Sequence, residues 1–201
     1  MRPVSEQQHK HVKIVEVGPR DGLQNEKQVI GLDTKLALIE GLADAGLRHI
    51  EVGSFVSPKW VPQMADSDEV LRHLDTTSSL HYPVLVPNEQ GFKRALAAGA
   101  TEISCFTSAS DAFNKKNINC TIDESLERIA VLLRMAKDAQ IPVRAYVSCI
   151  AGCPYQGDVS VGEVRRVSEA LLAMGCCEIS LGDTIGVGTP NVISALIESL
   201  R

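Results

Sequence analysis

The sequence predicts an α/β protein built on a parallel β-sheet. Short runs rich in β-branched and apolar residues alternate with longer runs whose apolar residues recur at helical spacing, along nearly all of the 201 residues. Glycines follow several of the helical runs, as expected where helices end. No linker-like or low-complexity segment interrupts the alternation, so we expect one domain over 12–201 after a polar tail at 1–11.

Six strand–helix units follow one another in this pattern. The first helix has Asp33 as its expected cap and Gly46 after its end, and a long helix opens with the capping-box sequence TIDE at 121–124. Pro190, preceded by Thr189, suits the first turn of the last helix. The predicted strands are 12–17, 49–52, 82–86, 102–106, 143–148 and 178–181, and the predicted helices are 34–45, 67–74, 89–98, 121–139, 161–174 and one from 190 onward.

Two architectures accommodate six such units. A doubly wound open sheet is complete with six strands, whereas a (β/α)8 barrel needs eight units and typically ~250 residues, so this chain would stop about two units short. A dinucleotide-binding sheet carries G-x-G-x-x-G in its first turn. This chain has GPRDGLQ at 18–24 instead, so we expect no nucleotide cofactor. In both architectures functional residues gather at the carboxyl ends of the strands, which leaves the choice open.

The composition excludes several classes of function. With 44% apolar and 22% charged residues the chain is typical of globular proteins. The net charge of -5 disfavours general nucleic-acid binding, and no apolar run approaches the ~18 residues that a membrane helix needs. The start of the chain lacks the features of a secretory signal or a transit peptide, so we expect a cytoplasmic protein. The six cysteines form no C-x-x-C pair, and we interpret most of them as small buried apolar residues.

Charged residues occur in and just after several predicted strands. Glu16 and Glu51 lie within strands that should be buried, so each needs a partner, and Arg20 is the nearest cation. The three form either a structural ion cluster or a device that points the guanidinium at a ligand, where it can stabilise an oxyanion. Asp21 and Asp183 are either turn residues or oxygen ligands of a hard cation such as Mg²⁺ or Mn²⁺.

Other features give weaker functional signals. The glycine-rich stretch 182–190 opens a helix whose free N–H groups could bind phosphate, although its spacing is that of neither a P-loop nor a dinucleotide fingerprint. The basic sequence KKN at 115–117 suits a solvated turn or the anionic tail of a substrate. We interpret the histidines as surface or satisfied structural residues, and they are His9, His11, His49, His73 and His81.

Two stretches of the sequence resemble a known family. VGPRDGLQNE at 17–26 and SFVSPKWVPQM at 54–64 are similar to the 3-hydroxy-3-methylglutaryl-CoA lyases. The RDGxQ turn alone marks a wider group of metal-dependent aldol and Claisen enzymes, whereas the second stretch is much narrower and points to the lyases. The sequences KKNINC, YVSC and ISLGDTIGVGTP agree too, so the resemblance runs from about residue 12 to residue 190.

The resemblance implies a TIM barrel, here truncated to about six βα units, with a divalent metal, Mg²⁺ or Mn²⁺, at its carboxyl-end face. It implies an enzyme that cleaves 3-hydroxy-3-methylglutaryl-CoA to acetyl-CoA and acetoacetate, a reaction of leucine degradation and ketone body metabolism. The expected partners are an acyl-CoA substrate and a second copy of the chain. Matched one by one, Asp21 corresponds to a metal ligand, Arg20 to the arginine that stabilises the enolate oxygen, Glu51 to an acid near the substrate and Asp183 to an acid implicated in proton transfer, while Gln24, Tyr146 and Ser180 match pocket residues.

The sequence departs from the family pattern at its end. The family's two histidine ligands, its asparagine ligand and its catalytic cysteine loop follow the sixth unit, beyond Arg201. Cys153 begins a CPY sequence like that of the cysteine loop, but it follows the fifth strand, so we do not expect it to react. We expect the 201-residue polypeptide alone to lack lyase activity. The alternatives are a catalytically inactive partial barrel, a binder of CoA-like ligands and a related Claisen synthase.

Overall fold

The computed structural model describes residues 12–200, and the expected polar tail at 1–11 lies outside this range. Seven short parallel strands are β1 Val15–Glu16, β2 His49–Ile50, β3 Gly53–Ser54, β4 Val84–Leu85, β5 Ile103–Ser108, β6 Val143–Ser148 and β7 Glu178–Gly182. The α-helices are α1 Leu32–Asp44, α2 Ser67–His73, α3 Glu89–Ala97, α4 Asp111–Ile118, α5 Ile122–Asp138, α6 Val161–Met174 and α7 Pro190–Ser199. No helix within 12–200 is long and apolar enough to cross a membrane.

The strands follow one another across the sheet in chain order. β1 lies beside β2, and a second sheet has the order β3-β4-β5-β6-β7. β2 and β3 belong to one extended segment that begins with the predicted second strand, 49–52, and continues to residue 54. The N–H of Glu51 between them donates to the carbonyl of Glu16 at 2.8 Å, and the N–H of Val52 to that of Pro83 at 3.1 Å. A doubly wound sheet would reverse its strand order in the middle. The uninterrupted order therefore matches the barrel of about six units and excludes the doubly wound alternative.

The row of strands curves so that side chains from its two ends come into contact. Lys13, just before β1, forms an ion pair with Glu178, the first residue of β7. Because β1 and β7 lie at opposite ends of the strand order, this contact crosses the inside of the curve. The carboxyl ends of all the parallel strands consequently open toward one face, which is where a barrel places its functional residues.

Alternate residues of the central strands face the helices or the inside of the curve. In β6, Val143, Ala145 and Val147 are buried, and they share one hydrophobic core with Leu132 of α5 and Val167 of α6. The intervening side chains lie on the opposite face and are only partly buried, and they are Arg144, Tyr146 and Ser148. In β6, the face toward the inside of the curve therefore carries polar side chains, which can bind a ligand.

The ends of two helices agree with the sequence and one does not. Thr121 and Glu124 form the expected capping box, with N–H to oxygen distances of 3.2 Å and 2.7 Å. Gly175 ends α6 with a φ of 112°, in the left-handed region that favours glycine. The prediction that Asp33 caps α1 was wrong, because Gly31 occupies the cap and Asp33 lies inside the first turn.

The predicted solvated turn at 115–117 was also wrong, because these residues lie in α4. The hydroxyl of Ser110 caps this helix by accepting the N–H of Phe113 at 3.1 Å. The buried Asn114 then donates to the hydroxyl of Thr107 at 3.0 Å, which fastens the helix to β5. α4 has little apolar periodicity, so its sequence resembles a polar loop, and buried hydrogen bonds hold it in place.

We expect Asn88→Ala to lower the free energy of unfolding by about 1 kcal/mol. The side chain of Asn88 caps α3 by accepting the N–H of Gly91 at 2.9 Å, and alanine offers no acceptor there. Urea unfolding followed by circular dichroism measures the change. Asn191→Ala, at an exposed position within α7, is the matched control and should not destabilise the protein. Equal effects of the two substitutions would contradict the capping assignment.

Candidate active site

A fully buried carboxylate, that of Glu51, is the centre of a polar cluster directly after β2. It accepts hydrogen bonds from Nε of Arg20, from the hydroxyl of Ser104 at 2.7 Å and from the hydroxyl of Tyr146 at 2.7 Å. The donors come from the turn after β1, from β5 and from β6. Four segments of the chain therefore meet at one carboxylate, which gives this buried group the partners that it requires.

Arg20 is held by carboxylates on two of its edges. Its Nε donates to Glu51 and its Nη1 to Oδ1 of Asp21 at 2.6 Å, and its side chain is only 9% exposed. The guanidinium carbon also lies 5.6 Å from the ring centre of Tyr146. Burial disfavours the charged guanidinium, but the carboxylates of Glu51 and Asp21 outweigh this and raise the pKa of Arg20. Arg20 is thus a cation in a fixed orientation. Its hydrogen bonds within 12–200 are made by Nε and Nη1.

Glu16 does not join this ion cluster, contrary to the expectation from the sequence. Its Oε1 accepts the N–H of Gly18 at 2.6 Å and so holds the start of a π-helical turn, Gly18–Gly22. A Cβ atom at Gly18 would lie 2.8 Å from that oxygen, so a larger residue there would displace the end of the Glu16 side chain. Asp21, the neighbour of Arg20 in this turn, supplies the second carboxylate instead.

Asp21 is exposed at the face where the strands end. Its side chain is 57% exposed, and its Oδ1 is the atom that Arg20 contacts. A carboxylate oxygen in this position suits a hard cation such as Mg²⁺ or Mn²⁺. Within 12–200, the group of three side chains close enough to share a metal is instead His49, His81 and Glu102. These residues lie at the amino ends of their strands, so that group is not the site to which Asp21 belongs.

Asp183 follows β7, and within 12–200 it forms no hydrogen bond with the Arg20–Glu51 pair. Its two carboxylate oxygens accept the N–H groups of Val187 at 3.2 Å and Gly188 at 2.7 Å. These bonds lie within the glycine-rich stretch 182–190 and fold it into a turn. They also use two of the N–H groups that were expected to be free to bind phosphate. A role for Asp183 in proton transfer stays a prediction.

The three expected pocket residues lie around the same face. Tyr146 and Ser180 are register partners on β6 and β7. Burial, followed by the charge of Glu51, raises the pKa of Tyr146, so its hydroxyl stays a donor. Oε1 of Gln24 is buried without a hydrogen-bond partner within 12–200. Leaving such an atom unsatisfied costs free energy, so a donor on a ligand would suit it.

Sequence reasoning missed Ser104 and Arg144. Ser104 is fully buried and contacts Glu51, while the guanidinium carbon of Arg144 lies 5.4 Å from the ring centre of Tyr146. Nε and Nη1 of Arg144 are buried without hydrogen bonds within 12–200, although Nε lies within ion-pair distance, 3.4 Å, of Oε1 of Glu178. Polar residues at every second position of β6, and Ser104 at the equivalent register in β5, are the signal that could have found them.

The cysteines agree with the sequence interpretation. Five of the six are buried, and Cys177 is exposed. The sulfur of Cys153 accepts from the hydroxyl of Ser110 at 3.0 Å. Burial by itself would raise the pKa of Cys153, but this bond and backbone N–H groups lower it. These contacts hold Cys153 within the loop after β6.

A family model and the relatives of high sequence identity agree on one family. A model of the HMGL-like family matches residues 11–201. The chain is 56% identical over 191 residues to the mitochondrial hydroxymethylglutaryl-CoA lyase of Bos taurus, covering 95% of this chain and 59% of that protein. It is 56% identical over 190 residues to the cytoplasmic 3-hydroxy-3-methylglutaryl-CoA lyase of Mus musculus, covering 94% and 55%.

A solved structure agrees with these sequence matches. The crystal structure of hydroxymethylglutaryl-CoA lyase from Pseudomonas aeruginosa is similar with a TM-score of 0.92 and 53% identity, covering 95% of this chain and 64% of that one. The chain therefore spans less than two thirds of the length of these relatives.

Proposed function

We propose, from the fact that this chain belongs to the HMGL-like family, that its residues build one part of the active site of a carbon–carbon lyase. The proposed reaction converts 3-hydroxy-3-methylglutaryl-CoA to acetyl-CoA and acetoacetate. One observation carries the proposal beyond family membership: a buried arginine, Arg20, is fixed by Glu51 and Asp21 at the carboxyl ends of the strands. This is the geometry that stabilises a developing oxyanion.

The chemistry of the cleavage explains why a fixed cation is needed. A base removes the proton of the C3 hydroxyl, the C2–C3 bond breaks, acetoacetate forms from the C3 side and acetyl-CoA leaves as its enolate. The enolate then takes a proton at C2. Arg20 faces the charge on the thioester oxygen, and because it is already oriented it needs no rearrangement during the reaction.

A divalent metal, Mg²⁺ or Mn²⁺, would polarise the substrate's hydroxyl oxygen and lower its pKa. The residues at the carboxyl ends of the strands supply part of a site for such an ion. Asp21 offers an exposed carboxylate oxygen of the type that both ions prefer, and its contact with Arg20 orients it. The remaining ligands would come from residues outside 12–200. Gln24 and Ser180 are assigned to the substrate pocket, and Asp183 to proton transfer.

The proposal also covers the substrate, the cellular location and the protein partner of this chain. The substrate is an acyl-CoA thioester, as the names of the relatives indicate. The relatives include both mitochondrial and cytoplasmic proteins, and a cytoplasmic location of this chain is part of the proposal. A second copy of the chain is the proposed protein partner.

A chimaera tests the proposed reaction. Residues 1–201 are joined to the carboxyl-terminal part of the Pseudomonas aeruginosa lyase, starting where the structural match ends. With Mg²⁺, we expect it to form acetyl-CoA and acetoacetate in equal amounts, whereas the 201-residue polypeptide alone forms neither. A folded chimaera without product would favour an inactive barrel or a CoA binder. Condensation of acetyl-CoA with a 2-oxo acid would favour a Claisen synthase instead.

We expect Tyr146→Phe to lower kcat of the chimaera by about tenfold or more. The hydroxyl holds the carboxylate of Glu51 at 2.7 Å, and a hydrogen bond to a charged group contributes about 1.5–3 kcal/mol. KM should change less than kcat, because Tyr146 acts through Glu51 and Arg20. Tyr155→Phe, at an exposed tyrosine, is the matched control. An unchanged kcat in Tyr146→Phe would show that this hydrogen bond is purely structural.

A further inference from the structure

A second cluster of metal-binding side chains lies at the amino ends of the strands. His49 is the first residue of β2, His81 forms an isolated parallel bridge with it, and Glu102 directly precedes β5. Each residue offers a ligand atom, and these atoms all lie within 4.8 Å of one another. Asp21 lies after β1, at the carboxyl end, so this cluster is on the opposite face from the candidate active site.

Backbone bonds and stacking fix the cluster. The N–H of His81 donates to the carbonyl of Arg48 at 2.8 Å, and the N–H of Ile50 donates to the carbonyl of His81 at 2.9 Å. The rings of His49 and His81 are stacked with their centres 4.2 Å apart. Nδ1 of His81 is hydrogen-bonded to Oε1 of Glu102. The backbone bonds therefore hold the three side chains close together on strand ends, and the two imidazole rings would have to turn out of the stack to point one nitrogen each at an ion.

We propose that His49, His81 and Glu102 bind one divalent transition-metal ion of the Zn²⁺ type. Two imidazoles and one carboxylate suit Zn²⁺, Co²⁺ or Ni²⁺ far better than Mg²⁺, which prefers oxygen ligands only. The ion takes the place of the proton between His81 and Glu102, and the two atoms move apart to make room for it. The side chains of His81 and Glu102 are 45% and 27% exposed, so they can adjust and water can complete the coordination.

The neighbouring charges are compatible with a bound cation. Lys13, next to β1, is a cation that acts on His49, and it forms an ion pair with Glu178 of β7. Nε of Arg144 in β6 lies 3.4 Å from the same glutamate. Burial lowers the pKa of His49, and His81 and Lys13 lower it further.

Titration calorimetry of the whole 201-residue chain tests the site. We expect one Zn²⁺ to bind here, and a fourfold excess of Mg²⁺ not to compete. His81→Gln and Glu102→Gln should each weaken this binding at least tenfold, while His73→Gln, at a histidine outside the cluster, should not. At ten times its dissociation constant, Zn²⁺ should raise Tm by about 3–6 °C. Metal-free variants whose Tm matches the parent are folded, so their loss of binding reports on the ligands.

Two further measurements separate this cluster from other zinc ligands in the chain. The double variant His9→Gln/His11→Gln removes the H-x-H pair and should leave the affinity unchanged. Co²⁺ should give visible bands of nitrogen and oxygen ligands without the intense near-ultraviolet band of a thiolate. Equal Zn²⁺ affinity in the parent, His81→Gln and Glu102→Gln would overturn the proposal, as would binding that depends on His9 and His11 or on a cysteine.

Discussion

Arg20→Lys in the chimaera is expected to lower kcat by about 100-fold or more while the protein stays folded. The planar guanidinium contacts Glu51 through Nε and Asp21 through Nη1, and it still presents a further edge. A lysine ammonium is a point charge on a flexible stem, so it cannot keep both contacts and face the substrate at once. Removing one donor to a developing oxyanion typically costs about 10²–10³ in kcat.

The matched control is Arg165→Lys, an exposed arginine of α6 that pairs with Glu169 one helical turn away. Its kcat and Tm should both stay near those of the parent chimaera, since surface pairs contribute little. Comparing kcat with Tm for the two variants separates catalysis from folding. Near-normal turnover in Arg20→Lys would show that Arg20 is a structural residue and that its proposed role is wrong.

Glu51→Ala is expected to have the largest effect on stability, a loss of about 3–5 kcal/mol in the free energy of unfolding. Glu51 is fully buried and Arg20 nearly so, and removing the carboxylate leaves the guanidinium buried with Asp21 as its remaining anion. The hydroxyls of Ser104 and Tyr146 lose their acceptor as well. Urea unfolding of the 201-residue chain measures the change.

A double variant supplies the control for this prediction. Replacing a buried ion pair by apolar residues of similar volume is often neutral, so Arg20→Met/Glu51→Leu should be more stable than Glu51→Ala. The two positions contact each other, and their effects should therefore not add. A loss below about 1 kcal/mol in Glu51→Ala, or strict additivity of the single effects, would contradict the account of Glu51 as the centre of the cluster.

Much of the fold follows from the sequence because alternation of apolar runs is a local signal. The second strand was found although Glu51 interrupts it, and the capping box at Thr121 marked the start of α5. The sequence did not predict α4, because buried hydrogen bonds of Asn114 stabilise this helix and its residues form no apolar stripe. The pairing of Arg20 with Glu51 was expected, whereas the choice of Asp21 over Glu16 depends on the π-helical turn, which sequence patterns do not reveal.

The remaining misses share one cause, which is that strand register brings distant residues together. Ser104 reaches Glu51 from another strand. The interpretation of the histidines as surface or satisfied structural residues agrees with the contacts of His49 and His81, but the sequence did not reveal that both lie beside Glu102 at the amino ends of neighbouring strands. A histidine taken alone in the sequence looks like a surface residue. Asp183 matches a family residue by sequence, but within 12–200 no hydrogen bond joins it to Arg20. Its role in proton transfer therefore stays a prediction.

The most direct measurement is kcat/KM of the chimaera for 3-hydroxy-3-methylglutaryl-CoA with saturating Mg²⁺, compared with that of the parent Pseudomonas aeruginosa lyase. If residues 12–200 build their part of the active site as described, the two values should agree within about tenfold, a difference near 1.4 kcal/mol. A chimaera with the parent's Tm but less than about one thousandth of its kcat/KM would contradict the central claim, because the Arg20–Glu51–Asp21 cluster would then be present without serving this reaction.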